Sequence, residues 1–262
     1  MSKKVAIVTG GTSGIGRATA LALQERGYTV YELSRRAEGM PDIRHIVADI
    51  TKEETLQAAV EQVLAVEGRL DLVVNNAGFG ISGAIEFTDT QEAQRLFDTL
   101  FFGMVRMNRC VIPLMRQQGH GRIVNISSVA APVPIPFQAY YSAGKAAINA
   151  YTMALANELR PFGVTVCAVM PGDIKTGFTA ARHKIIDGDD IYQGRIGRSV
   201  QRMEHDEQTG MDPAKVGRYI AAVASREGSH HPLYATRIDY KFFVFLTKVL
   251  PARFLNWLIY QL

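Results

Sequence analysis

The sequence predicts an α/β fold, a single domain over residues 1–262 built on a doubly wound parallel sheet with helices on both faces. Three observations carry that expectation. Short apolar runs of strand length alternate with segments of helical periodicity along most of the chain, the rhythm of βαβ units. The first apolar run ends in a glycine-rich turn, Gly10 to Gly16, that leads directly into a helical pattern. With 262 residues, 47% of them apolar and 21% charged, the chain is long and apolar enough to bury one large core, and intrinsic disorder is excluded.

Val5-Ala6-Ile7-Val8 predicts the first strand, and Ala18, Leu21, Ala22 and Leu23 mark the apolar face of the helix after the glycine turn. A second strand is expected over Thr29 to Leu33, after the Arg26-Gly27-Tyr28 turn. Further buried-type strands are expected at Arg44 to Ala48, Leu70 to Asn75, Arg122 to Ser127 and Val164 to Met170. Helical patterns fill the intervals at Thr55 to Val66, Thr90 to Gln117 and Tyr141 to Arg160. No linker or internal repeat divides the chain. Residues 175–212 break the rhythm. In an open α/β sheet ligands sit beyond the carboxyl ends of the strands, so this irregular insert is expected to act as a substrate lid. Residues 241–262 read as two short apolar helical segments on either side of Pro251, with Lys241, Lys248 and Arg253 among them. Neither segment is long enough to span a bilayer. Docking of this tail over the substrate mouth or a partner subunit is the expectation, with peripheral membrane contact and completion of the core as alternatives.

Net charge is +4 without any basic block, so nucleic acid is not expected as a partner. No long apolar leader follows the first lysines, and a cytoplasmic location is expected, peripheral to a membrane if the tail makes that contact. The two cysteines, Cys110 and Cys167, lie in apolar segments and read as buried thiols rather than a disulfide or metal pair. Asp187-Gly188-Asp189-Asp190 lacks calcium-loop spacing, and His205 and His230-His231 lack zinc spacing, so no metal is expected. Glu32, inside the second strand, reads as strand-surface polarity.

Gly10, Gly14 and Gly16 let the backbone approach a pyrophosphate that the helix N-terminus then faces. Tyr141 and Lys145 are four residues apart at the start of a helix, so their side chains share a face. Bringing a phenol of pKa near 10 to neutrality takes about 4 kcal/mol of differential stabilisation, and a neighbouring ammonium supplies much of it. Tyr141 is thereby a candidate general acid for a carbonyl oxygen.

After the glycine turn come Asn75-Asn76-Ala77-Gly78, Ser128, Tyr141-Ser142-Ala143-Gly144-Lys145 and Pro171-Gly172-Asp173-Ile174-Lys175-Thr176, in that order. With these motifs the chain resembles the classical short-chain dehydrogenase/reductase family over almost its whole length, its tail and length pattern being similar to the hydroxysteroid and retinol dehydrogenase branch. The resemblance implies a Rossmann-type fold and an NAD(P)-dependent oxidoreductase acting on CH–OH groups. It gives Ser128, 13 residues before Tyr141, the catalytic serine's place beside Tyr141 and Lys145. It implies cofactor contacts at Gly10, Thr12, Ser13, Gly14, Ile15 and Gly16, at Ser34, Arg35 and Arg36, and at Asp49 and Ile50. Asn76, Ala77 and Gly78, Tyr141 and Lys145, and Pro171, Gly172, Ile174 and Thr176 complete the implied set. Ser34 stands where NAD-preferring relatives carry an aspartate, and Arg35 and Arg36 follow it, so NADP(H) is expected over NAD(H).

One position departs from the family pattern. Leu100, in Thr99-Leu100-Phe101-Phe102-Gly103, takes the place of an asparagine that in the family helps hold a water linking the lysine to solvent. Asn108, eight residues on and about 12 Å away in helix rise, cannot substitute from there. The expected function is NADP(H)-dependent interconversion of a secondary alcohol and a ketone, or of an alcohol and an aldehyde, on a mostly apolar, steroid- or lipid-like small molecule. The alternative, which Leu100 favours, is a catalytically weakened nucleotide-binding sensor or interaction protein. A homodimer or higher homo-oligomer is expected through the long helices Thr90 to Gln117 and Tyr141 to Arg160, the first of which carries Leu96, Leu100, Met104, Met107, Val111 and Leu114 as an apolar stripe.

Overall fold

A computed structural model describes residues 3–227 and 231–261; His230 lies outside the described residues. In chain order the first half runs β1 (Val5–Thr9), α1 (Gly14–Glu25), β2 (Thr29–Ser34), β3 (Arg44–Val47), α2 (Glu53–Glu67), β4 (Leu72–Asn75) and β5 (Ile81–Ser82). Then follow α3 (Thr90–Phe97), α4 (Gly103–Gln118), β6 (Gly121–Ile126), α5 (Ala139–Leu159) and β7 (Val164–Met170). The remainder is α6 (Phe178–Ala181), β8 (His183–Lys184), α7 (Arg195–Gln208), α8 (Pro213–Ser225), β9 (Leu233–Ala235), α9 (Ile238–Val249) and α10 (Ala252–Gln261).

Seven strands form one sheet in the order β3-β2-β1-β4-β6-β7-β9, every neighbouring pair parallel. The chain winds outward from β1 in one direction, then crosses to β4 and winds the other way. The crevice over β1 and β4 is therefore the switch point where such sheets hold ligands. Helices cover both faces, which is why β1 and β4 are buried at every residue. One core layer packs Val60, Met107, Val111 and Leu155 from α2, α4 and α5 against the sheet; the other packs Leu23, Val216 and Ile220 from α1 and α8. Gly217 of α8 sits so close to Ala18 of α1 that any β-carbon there would collide with its backbone.

The helix expected over Thr90 to Gln117 is broken. A single π-helical stretch, Asp98–Phe102, separates α3 from α4 and turns Leu100 inward. The apolar stripe does not form an outward face, because Leu96, Leu100, Met104, Met107 and Val111 are all buried in the chain's own core. Glu32 is no surface residue either. It is fully buried beneath the glycine turn, where the missing β-carbon of Gly11 leaves it room, and its carboxylate pairs with His45 Nδ1. Burial pushes the Glu32 carboxyl above its usual range. Within residues 175–212 the structure contains α7, whose buried residues Ile196, Val200 and Met203 keep helical spacing inside an otherwise polar run. Of the thiols, Cys167 is buried and Cys110 half-buried. No described helix is long and apolar enough to cross a membrane.

Candidate active site

A cleft of about 1170 Å³ opens over the carboxyl ends of the strands, and its two halves meet at Tyr141. The half expected to take a nucleotide begins at the glycine turn. Gly10 and Gly14 have φ of +65° and +54°, left-handed backbone that favours glycine at both positions. Thr9 Oγ1 accepts hydrogen bonds from the backbone N–H groups of Asn76 (3.0 Å) and Ala77 (3.1 Å). Asn76 Nδ2 donates in return to the Thr9 and Gly10 carbonyls at 3.1 and 3.2 Å. The ends of β1 and β4 are thus tied together beneath the turn. Ser13, the N-cap of α1, makes no side-chain cap, and the first turn holds no acidic residue. Its free N–H groups and positive dipole end suit an anionic group.

Thr12, Ser13, Gly14 and Ile15 line this half, as do Ser34, Arg35 and Arg36 at the end of β2. Neither arginine forms an ion pair among the described residues. Asp49 and Ile50 line the wall beyond β3, where hydrogen bonds from Thr51 and the nearby Arg35 charge outweigh burial and lower the Asp49 carboxyl. Asn76, Ala77 and Gly78 form one side, and Pro171, Gly172, Ile174 and Thr176 the other. Gly16 alone of the sequence-derived set does not line the cleft. A β-carbon there would collide with the Gly10 carbonyl oxygen and the Asn76 amide, so its small size serves the packing of α1 on the turn.

Tyr141 and Lys145 project from the first turns of α5, with Lys145 Nζ 5.6 Å from the Tyr141 ring centroid. Lys145 Nζ donates to the Ile126 carbonyl at 2.7 Å. Burial pushes the ammonium down to about 7 and the Tyr141 phenol up to about 12, with the facing Ser128 hydroxyl countering part of the latter rise. The ammonium does not lower the phenol here as the sequence spacing had suggested, because desolvation dominates at both groups. Ser128 Oγ accepts from Ala130 N–H (3.1 Å) and lies 3.5 Å from the Pro171 carbonyl. Neighbouring Ser127 instead donates to the Lys145 carbonyl at 3.0 Å. Bonds from Ser127 N–H to the Val169 carbonyl (2.8 Å) and from Val129 N–H to the Pro171 carbonyl (2.9 Å) fix this loop against the end of β7.

Leu100 is 2% exposed and fills the space beside Gly78 and Gly144 at the cleft floor. Asn108 lies deeper, outside the cleft lining. Its Oδ1 accepts from Asn75 Nδ2 (2.8 Å), which also reaches Asn125 Oδ1 (2.9 Å), and Asn125 Nδ2 donates to Thr152 Oγ1 (2.9 Å). This buried chain braces the sheet.

Beyond Tyr141 runs a second arm built largely from the 175–212 segment expected to act as a lid, and its buried Arg182–Glu207 pair is what sequence reasoning did not foresee. Phe178 packs 5.9 Å from the Tyr141 ring, and the Arg182 guanidinium lies 5.6 Å from the Phe178 ring. Arg182 is buried and paired with Glu207, whose other oxygen accepts from Thr179 Oγ1 at 2.5 Å. Asp173, its carboxyl raised by burial, receives a hydrogen bond from the Tyr240 hydroxyl at 3.2 Å. Arg182 and Thr179 come from the stretch before α7, which carries no periodicity. The one available signal was an arginine among small apolar residues in Thr179-Ala180-Ala181-Arg182.

A glycine turn at the switch point, opening into the same cleft as a tyrosine and lysine one helical turn apart, defines a Rossmann-type dinucleotide-binding scaffold. The chain belongs to the short chain dehydrogenase family, whose family model matches residues 4–185. It is 38% identical over 261 residues to a 3-ketodihydrosphingosine reductase of Bacteroides thetaiotaomicron, covering 98% of this chain and 94% of the relative. A crystal structure of a short-chain dehydrogenase from Streptomyces avermitilis superposes with a TM-score of 0.83 at 34% identity, covering 94% of this chain and 92% of that one. ElxO with NADP bound superposes with a TM-score of 0.76 at 25% identity, covering 92% and 100%. The chain is thus an oxidoreductase acting between alcohol and keto groups, on a fold that binds nicotinamide cofactors.

Proposed function

We propose that this chain is an NADP(H)-preferring reductase of a lipid-like ketone, with Ser128, Tyr141 and Lys145 as its catalytic residues. The observation that carries the reading is the placement of Tyr141, half-buried where the glycine-turn half of the cleft meets the second arm, with Ser128 facing its hydroxyl. Bound in the nucleotide half, a reduced nicotinamide supplies the hydride that a carbonyl carbon accepts. The uncapped N-terminus of α1 holds its pyrophosphate, and Arg35 and Arg36 face a 2′-phosphate. A phenol with its pKa near 12 keeps its proton at neutral pH and donates it to the carbonyl oxygen in the reductive direction. Ser128 donates a hydrogen bond to the same oxygen and orients it. Lys145, in the same face of α5, holds the nicotinamide ribose.

Phe178, Leu100 and Phe79 give the second arm an apolar lining, and Arg182, Glu207 and Asp173 give it a polar end. That combination suits an amphipathic ketone of the kind named for the Bacteroides relative. Leu100 favours a second reading, a nucleotide-binding protein with weakened turnover, because no amide stands where a relay water would be held. Self-association, if through α4 and α5, would use the exposed Phe102 and Met153 rather than the stripe now found in the core. Steady-state oxidation of NADPH and NADH with 3-ketodihydrosphingosine and with short ketones tests the assignment. Turnover is expected with the long-chain ketone. A charge-assisted contact to the 2′-phosphate predicts a roughly 10- to 150-fold preference for NADPH. Tight NADPH binding without turnover of any ketone would replace the reductase by the binding-protein reading, and equal affinity for NADPH and NADH would remove the role of Arg35 and Arg36.

A further inference from the structure

The tail is fastened to the cleft at two points. The Tyr240 hydroxyl, near the start of α9, accepts from Asp173 N–H at 3.1 Å, and its ring fills the space left by Gly172, both residues of the cleft rim. On α10, the Tyr260 ring lies 5.0 Å from the Arg195 guanidinium at the head of α7, and Ile259 is buried. Docking therefore accounts for Tyr240, Ile259 and Tyr260. It leaves the most apolar face of the tail uncovered.

Ile238, Phe242, Phe245 and Val249 follow one another at helical spacing on α9 and are 82%, 58%, 56% and 56% exposed. Phe243 is also exposed, and on α10 the exposed rings of Phe254 and Trp257 stack with centroids 5.8 Å apart. Lys241 and Lys248 border the α9 stripe on one side. They also line, with Arg226, a groove of about 600 Å³ between α8, β9 and α9 that holds no carboxylate among the described residues. Arg253 is exposed between the two aromatic groups. None of these four cations forms an ion pair among the described residues, whereas the one acid of α9, Asp239, is paired with Arg237.

We propose that α9 and α10 dock this protein on the surface of an anionic lipid bilayer. Aromatic and aliphatic side chains projecting beside unpaired lysines and arginines are the pattern of an interfacial helix, whose rings enter the headgroup boundary while its cations meet anionic lipid. A second copy of the chain fits less well. A two-fold interface would bring this patch against itself and set like charges face to face. Because Tyr240 ties α9 to Gly172 and Asp173, docking would hold the cleft rim beside the bilayer, so that a lipid-like ketone reaches Tyr141 without crossing water. Only this last consequence rests on the proposed substrate; the docking itself does not.

Flotation of the full chain with phosphatidylcholine vesicles, with and without phosphatidylglycerol, tests the proposal without reference to turnover. The wild type is expected to float with the anionic vesicles and to shift the emission of Trp257, its one tryptophan, to the blue. Lys241→Gln combined with Lys248→Gln should lower partitioning about 30-fold. Phe242→Ser combined with Phe245→Ser should abolish it, with turnover of a short soluble ketone unchanged in both double variants. Failure of the wild type to float, or equal flotation of either double variant, would overturn the proposal while leaving the oxidoreductase assignment intact. Light scattering that shows a vesicle-independent dimer lost in the phenylalanine variant, together with no flotation, would assign the surface to a second copy instead.

Discussion

Lys145 gives the sharpest test of the electrostatics of the cleft. Its ammonium carries the usual pKa of 10.5 in the unfolded chain and about 7 in the folded protein without cofactor, because burial strips its hydration and no carboxylate replaces it. Between those values the unfolded chain binds more protons than the folded one, so this group makes stability rise with pH from about 7 towards 10.5. At 1.36 kcal/mol per unit, housing the lysine costs about 4 kcal/mol at pH 7 and about 2 kcal/mol at pH 9. Lys145→Met removes that cost. It also leaves the Ile126 carbonyl without its 2.7 Å partner, an offset of about 1–3 kcal/mol that does not vary with pH. The variant is therefore expected to be more stable than the wild type at pH 7, and its advantage to shrink by about 2 kcal/mol by pH 9. Urea unfolding of both cofactor-free proteins at pH 7, 8 and 9 measures the difference directly. Parallel stability curves would mean that Lys145 keeps its charge in the cleft at neutral pH, and the desolvation argument would be wrong.

Two further outcomes follow from the site geometry. Tyr141→Phe should lower kcat by about 10²- to 10⁴-fold with NADPH affinity nearly unchanged, since in the proposed reaction its hydroxyl transfers a proton and does not hold the nucleotide; retention of more than a tenth of the rate would move the acid role elsewhere. Gly16→Ala should destabilise the fold by about 1–3 kcal/mol in urea unfolding and weaken NADPH binding with it, because the new methyl collides with the Gly10 carbonyl and pushes α1 off the turn. An unchanged unfolding midpoint would show that α1 does not rest on Gly16.

The sequence by itself determined the sheet and the residues that line the glycine-turn half of the cleft. Strands buried on both faces are written as unbroken apolar runs such as Val5 to Val8. A left-handed turn is written as glycine at positions 10 and 14, and two side chains on one helical face as Tyr141 and Lys145. Each of these is a local relation whose period or backbone conformation fixes the residue type. Tertiary structure decided the rest. The π-helical stretch at Leu100 sits inside an apolar periodicity that reads equally well as one straight helix, and the stripe from Leu96 to Val111 carries no mark of whether its partner is the same chain or another. Glu32 became a core residue only because Gly11 leaves space above it. Arg182 and Glu207 are 25 residues apart and meet because the segment before α7 folds back over Phe178. The tail's apolar residues show the same limit from the other side. Periodicity gave α9 an apolar face, but only the packing of Tyr240 on Gly172 determined which rings are buried and which remain outside.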